Sequence, residues 1–252
     1  MDSITVLMYI VIFLFGITIG SFLNVCIFRI PAGESIVFGP SHCPNCGRRL
    51  KWYELIPIIS FLALRGRCKG CRNAISAQYP LIEATNGVLW VIVFAVMGFS
   101  AQAALGCLLS STLLVLSVID ARTLEIPSGT SIAILVLGAI ATGIDYQNWL
   151  SHLIGLFAIS LPLLLVLLIT GGRGIGGGDI KLMAGCGLFL GWKLIILGFF
   201  GGCLLGTVIH LGLMAAKKVG RTLSFGPYLS LGVFLAMLWG NKLISWYLGM
   251  YL

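Results

Sequence analysis

Apolar runs too long for a soluble fold constrain this chain most. A stretch such as Leu161 to Thr170 carries no charge and does not alternate in polarity. A hydrocarbon core takes about 20 mostly apolar residues per helix. Within it every backbone polar group must find a partner in the chain, so these runs are expected to be helices. A transmembrane β-barrel would need alternating polarity. Spans are expected near Ile4 to Ile30, Tyr79 to Met97, Gln102 to Ile119 and Ser128 to Ile144. Four more are expected near Trp149 to Thr170, Ile180 to Leu190, Leu194 to Ala216 and Pro227 to Met250. That makes about eight, the sixth short. Pro162 and the many glycines are compatible with membrane helices, where small residues let backbones approach.

Composition agrees. Only 10% of the 252 residues are charged and 59% are hydrophobic, whereas about a quarter of a soluble domain is charged. The first run is not read as a signal peptide. Its start carries Asp2 and no Lys or Arg, and Arg29 follows the run. It also exceeds the roughly 7–15 residues of a signal h-region. It is expected to be a retained helix with its N-terminus outside.

Positive charge gives the orientation. The segment between the first two spans holds Arg48, Arg49, Lys51, Arg65, Arg67, Lys69 and Arg72. Alternate downstream loops hold Arg122, Arg173, and then Lys217, Lys218 and Arg221. The opposite loops have little beyond Lys193 and Lys242 near helix ends. The long segment is therefore expected in the cytoplasm and both termini outside. Topology, with anionic membrane lipid as a partner, accounts for the net charge of +8 without nucleic-acid binding.

The expected organisation is a first helix over 1–30, a cytoplasmic insert over 31–78 and a membrane domain over 79–252. The insert contains Cys43-Pro44-Asn45-Cys46 and Cys68-Lys69-Gly70-Cys71. Two C-x2-C knuckles supply four thiolates, the number that tetrahedral zinc takes. Reducing cytoplasm favours metal over disulfides. Four cysteines close the coordination shell, so the zinc is expected to be structural and to stabilise an insert with little core. Gly47 and Gly70 are expected to make the tight turns. His42 adjoins Cys43 and reads as a bystander. Alternatives are a redox pair or two unrelated knuckles. Cys26, Cys107, Cys186 and Cys203 sit alone in apolar segments and read as small hydrophobic residues.

Asp120 ends an apolar run, and Asp179 closes Gly176-Gly177-Gly178-Asp179 at the start of the short sixth span. Ionisable groups at such depth are functional candidates. The topology puts both acids on one face of the membrane. Two carboxylates within a few ångströms do not both ionise easily. One then takes a proton from water while the other polarises a carbonyl, which is aspartic-peptidase chemistry. The glycine run is expected to let a peptide strand lie against the site. Alternatives stay open on these residues: Asp179 as a helix-terminal cap, Asp120 paired with Arg122 or Lys181, or an acid pair carrying protons in a transporter.

The motifs, taken in order, resemble the type IV prepilin peptidases. They include Gly20-Ser21-Phe22-Leu23-Asn24-Val25, the two cysteine knuckles and Leu50-Lys51-Trp52-Tyr53-Glu54-Leu55-Ile56-Pro57. Tyr79-Pro80-Leu81-Ile82-Glu83, Ile119-Asp120 with Ile126-Pro127, Gly176-x-Gly178-Asp179-Ile180-Lys181-Leu182 and Phe225-Gly226-Pro227 follow. The resemblance spans nearly the whole chain. It implies a catalytic pair Asp120 and Asp179 and a bacterial cytoplasmic membrane location; the active-site loop is expected to hold Gly176, Gly178 and Lys181, the last either a neighbour that tunes Asp179 or, equally, a surface-anchoring lysine. It implies cleavage of prepilin and pseudopilin leaders, in pilus assembly or protein secretion, at the cytoplasmic face. Members with four cysteines typically also methylate the new N-terminus from S-adenosylmethionine, so both activities are expected here. The glycine run Gly171-Gly172-Arg173-Gly174 lacks the preceding strand that a dinucleotide-type donor site needs. One departure is Ser128, where the family often has an acid. A transporter and a catalytically inactive assembly scaffold are the competing readings. Glu83 and Glu125 are candidates to receive a basic leader. Oligomeric state is not legible.

Overall fold

The computed structural model describes residues 2–172, 174–215 and 224–250. Arg173, Lys217, Lys218 and Arg221, together with Ala216 at the end of the seventh expected span, lie outside the described residues. Among those described, regular structure is helical with no strand. Two compact units follow one another, Met1–Ala95 and Val96–Leu252.

The first unit holds α1 (Ser3–Arg29), α2 (Ile59–Ala63) and nearly all of α3 (Gln78–Met97). Glycines on α1 let its backbone meet α3. A Cβ on Gly16 would lie 2.7 Å from Gly87 Cα, and one on Gly20 would lie 2.7 Å from Glu83 Cα. The close approach lets Asn86 Nδ2 donate to Gly16 O at 2.7 Å and Asn24 Nδ2 donate to Tyr79 O at 3.2 Å. Small residues with interhelical hydrogen bonds are how helices associate where lipid is as apolar as leucine.

The second unit holds α4 (Ala101–Thr123), α5 (Ser128–Ile144), α6 (Trp149–Ala158), α7 (Ser160–Thr170), α8 (Gly177–Leu190), α9 (Trp192–Ala215) and α10 (Gly226–Leu248). Its core is α4, where Leu109, Leu116 and Ile119 are buried between α5 and α10. Glycines again set the spacing. A Cβ on Gly138 of α5 would sit 2.9 Å from Gly185 O of α8, and one on Gly202 of α9 would sit 2.9 Å from Tyr228 O of α10. Gly232 faces Gly198 and Gly202 in the same seam.

Among the described residues, six helical stretches are long and apolar enough to cross a membrane. The fourth expected span, α5, is a shorter apolar helix of 17 residues, and the sixth, α8, has 14 residues, short as expected. The fifth expected span is not one uninterrupted helix. It breaks at Ile159, between α6 and α7. Pro162 explains the break, because its ring crowds the carbonyl four residues earlier, that of Ala158, and it offers no N–H to that carbonyl.

Candidate active site and metal centre

Asp120 lies in the last turn of α4 and is 5% exposed. The helix dipole opposes a carboxylate at that end, so helix stability does not explain its presence. Leu124 closes the helix in the left-handed conformation, φ 56°, donating its N–H to Asp120 O at 2.9 Å. Asp179 lies in the first turn of α8, the end that the dipole favours for an acid. Its own N–H reaches Gly176 O at 3.2 Å, and α8 begins without a side-chain cap. The two carboxylates line one open cleft of about 780 Å³. Leu163, Phe199 and Phe225 form apolar walls, and Glu125 stands at the same cleft.

Two glycines of the run have separate tasks. A Cβ on Gly176 would lie 3.4 Å from Asp179 Oδ2. A Cβ on Gly178 would lie 2.7 Å from Ile126 Cβ, so the second glycine lets α8 start against the α4–α5 connection. Both residues line the cleft. Lys181 does not. It is exposed, and its Nζ lies 3.4 Å from Ser128 Oγ rather than beside either carboxylate. The serine that departs from the expected acid is thus the neighbour of Lys181.

Sequence reasoning passed over Gly226 as a site residue. Its N–H, at the start of α10, donates to Asp120 Oδ2 at 2.8 Å. The Phe225-Gly226-Pro227 motif was its only signal, and nothing in a linear reading joins positions 106 residues apart.

The four insert cysteines cluster, with their Sγ atoms all within 4.8 Å of one another. Cys43 Sγ and Cys71 Sγ are 3.9 Å apart. Tetrahedral zinc with bonds of about 2.3 Å needs sulfurs about 3.8 Å apart, so the donors fit. His42 is not among them. Each knuckle is a tight turn: Gly47 N–H donates to Cys43 O at 2.9 Å and Arg72 N–H to Cys68 O at 3.0 Å. Gly47 has φ 68°, as expected, but in the second knuckle Arg72, not Gly70, takes the left-handed conformation at φ 60°. The turn needs that geometry one residue after the second cysteine, and Arg72 stands there. Gly70 instead gives room to Arg48, whose Nε would lie 3.1 Å from a Cβ. Backbone N–H groups of Cys71 and Gly70 push the Cys68 thiol down to about 6. The Asn45 amide, 3.5 Å from Cys71 Sγ, lowers that thiol too. Both effects favour the thiolates that bind metal. Beside the cluster, Arg48 lies 2.6 Å from Glu54 Oε1 and Lys51 N–H lies 2.9 Å from Oε2. Together they hold the Glu54 carboxyl below the usual carboxylate range.

Gly171 and Gly172 have φ of 61° and 78°, and Gly172 N–H donates to Leu167 O at 2.9 Å. They close a helix.

The bacterial peptidase A24 N-terminal domain matches residues 14–97, and the type IV leader peptidase family matches residues 107–211. A Bacillus subtilis protein named prepilin leader peptidase/N-methyltransferase is 36% identical over 95% of this chain and 98% of its own. The chain belongs to the type IV leader peptidase family. Relatives of the same name from Pseudomonas aeruginosa and Stutzerimonas stutzeri are each 34% identical, over 93% and 92% of this chain and 91% of their own. No solved structure matches the chain. The second family match begins in α4 and ends in α9, so it contains Asp120, Asp179 and the Gly176–Gly178 run. The first contains all four cysteines.

Proposed function

We propose that this chain cleaves the leaders of type IV prepilins and pseudopilins with Asp120 and Asp179, and methylates the N-terminus so exposed. The observation that carries the reading is the pair of carboxylates on one open cleft, one at the end of α4 and one at the start of α8. One carboxylate, as base, takes a proton from water. The resulting hydroxide attacks the scissile carbonyl carbon while the protonated partner gives its proton to the carbonyl oxygen. Collapse of the tetrahedral intermediate breaks the C–N bond, and a carboxyl proton leaves with the amine. Gly226 N–H holds one oxygen of Asp120, which fixes the carboxylate for this work. Leu163, Phe199 and Phe225 give the cleft an apolar side on which a substrate chain can lie. The site faces the cytoplasm of a bacterial inner membrane, in the membrane domain over 79–252.

The insert over 31–78 serves the methyl transfer, with S-adenosylmethionine as donor. Cys43, Cys46, Cys68 and Cys71 would hold zinc, whose role would be to tie the two knuckles together and not to take part in the chemistry. The deciding experiment is processing of a prepilin by the reconstituted protein. Asp120→Asn and Asp179→Asn are each expected to abolish cleavage while inserting normally into membranes. Full cleavage by either variant would remove the pair from the chemistry.

A further inference from the structure

The insert exposes apolar side chains at several places, Trp52 among them, and at two of these a charged residue of a membrane helix holds the exposed segment. In the first, Arg29 ends α1. Its guanidinium donates to four carbonyls: Ser35 O at 2.9 Å, Phe38 O at 3.0 Å, Gly39 O at 3.2 Å and Pro40 O at 3.3 Å. The loop that it gathers presents Val37 and Phe38, 76% and 80% exposed.

In the second, buried Glu83 of α3 accepts the N–H of Ile58 on Oε2 at 2.7 Å. Ile58 has φ 59°, a strained conformation for a β-branched residue. Ile59 N–H turns back onto Pro57 O across it. This kink starts α2, which presents Ile59 and Leu62 at 62% and 66% exposure. Strain of this kind persists only where the surroundings impose it. Here it turns apolar side chains outward.

The depth of the second place follows from helix geometry. The 20 residues of α3 span about 30 Å, the thickness of a hydrocarbon core. Glu83 lies five residues inside its start, which is roughly 7 Å. Segments lying in a membrane interface bury about 5–10 Å into the headgroup–acyl boundary. The 27 residues of α1 exceed the core by about 10 Å, which leaves Arg29 among the headgroups. The backbone of the second place suits that depth. The N–H groups of Ile58, Ser60, Leu62 and Leu64 all have acceptors, as an apolar setting requires. Lys51, Arg65 and Arg67 flank it in sequence, where headgroup phosphates would meet them.

We infer that the insert is moored to the bilayer surface at these two points, with Val37–Phe38 and Ile59–Leu62 seated at the headgroup–acyl boundary. The occupant of both apolar patches is lipid. The mooring fixes the height of the zinc cluster above the membrane, independently of which reaction the protein performs.

The test uses the full chain reconstituted in phosphatidylethanolamine and phosphatidylglycerol vesicles. They carry a phospholipid with a photoactivatable diazirine near the headgroup end of an acyl chain. Irradiation is expected to give lipid adducts on segments 35–40 and 55–64 in yields comparable with those on α9. Labelling of the knuckle segment 68–72 is expected to be several-fold lower. Yields on 55–64 no higher than on the knuckle would overturn the inference, as they would if the patch served a protein partner instead. In Ile59→Ser/Leu62→Ser, with zinc content as the check on folding, adducts on 55–64 are expected to fall while those on 35–40 persist. Unchanged labelling of 55–64 in the zinc-loaded variant would equally overturn it.

Discussion

The backbone N–H of Gly226 donates to Asp120 Oδ2 at 2.8 Å, and a Cβ on Gly226 would lie 2.7 Å from that same oxygen. The hydrogen bond and the missing side chain are one device, and replacing the glycine removes both. In Gly226→Ala the carboxylate must turn away. A displacement of about 1 Å at a reacting group costs on the order of 100-fold in rate. We expect prepilin cleavage to fall by that order, with zinc content and membrane insertion unchanged. A rate within a factor of two of the parent would show that Asp120 does not depend on this contact.

Gly178→Ala brings two Cβ atoms to 2.7 Å, its own and that of Ile126. Overpacking of this kind costs roughly 1–3 kcal/mol, here at the start of the helix that carries Asp179. Cleavage is expected to drop. Ile126→Ala keeps the offending Cβ and is expected to give no rescue, whereas Ile126→Gly removes it and restores part of the activity. Equal behaviour of the two second-site changes, measured as a double-mutant cycle, would refute this contact as the cause.

The cysteine cluster predicts about one zinc per chain by elemental analysis, since four thiolates complete one tetrahedral shell. Cys43→Ser and Cys71→Ser are each expected to lose the metal, loosen the insert to protease and impair methyl transfer. Unchanged methyl incorporation in a metal-free variant would separate the insert from that activity.

Glu54 supplies a pH test. Its carboxyl is held below the usual range, first by Arg48 and then by the Lys51 N–H. A depressed pKa means that the folded insert prefers the ionised acid. Its stabilising contribution is therefore complete above the unfolded value of about 4.3, and is lost as pH falls through the lower folded value. Glu54→Gln is expected to lower the unfolding temperature of the insert at pH 7. The difference from the parent should close in strong acid. A constant difference across that range would rule out the ion pair as its source.

The parts of this molecule legible in sequence are those where residue type alone dictates the answer. Uncharged runs had to be helices, and two cysteine pairs separated by the stretch from Cys46 to Cys68 had to meet if they were to share an ion. Asp120 and Asp179 were legible as costly acids at helix ends. What escaped depended on partners far along the chain or on backbone angles. Pro162 was visible, but its effect is exerted on Ala158, so one expected helix became two. Gly70 looked like the residue that turns the second knuckle, yet the left-handed angle falls on Arg72. Gly226 gave no sign of its hydrogen bond because Asp120 lies on another helix.

The seam between α9 and α10, where Gly198, Gly202 and Gly232 meet, has a consequence for accuracy at the cleft. A seam of bare backbone has few ways to slide, since displacement by a residue would drive branched side chains into the opposing chain. It acts as a stop, holding the axial position of α10 against α9 by contact of backbone on backbone. Gly226 begins that helix, so a contact deep in the bilayer sets where Asp120 is held.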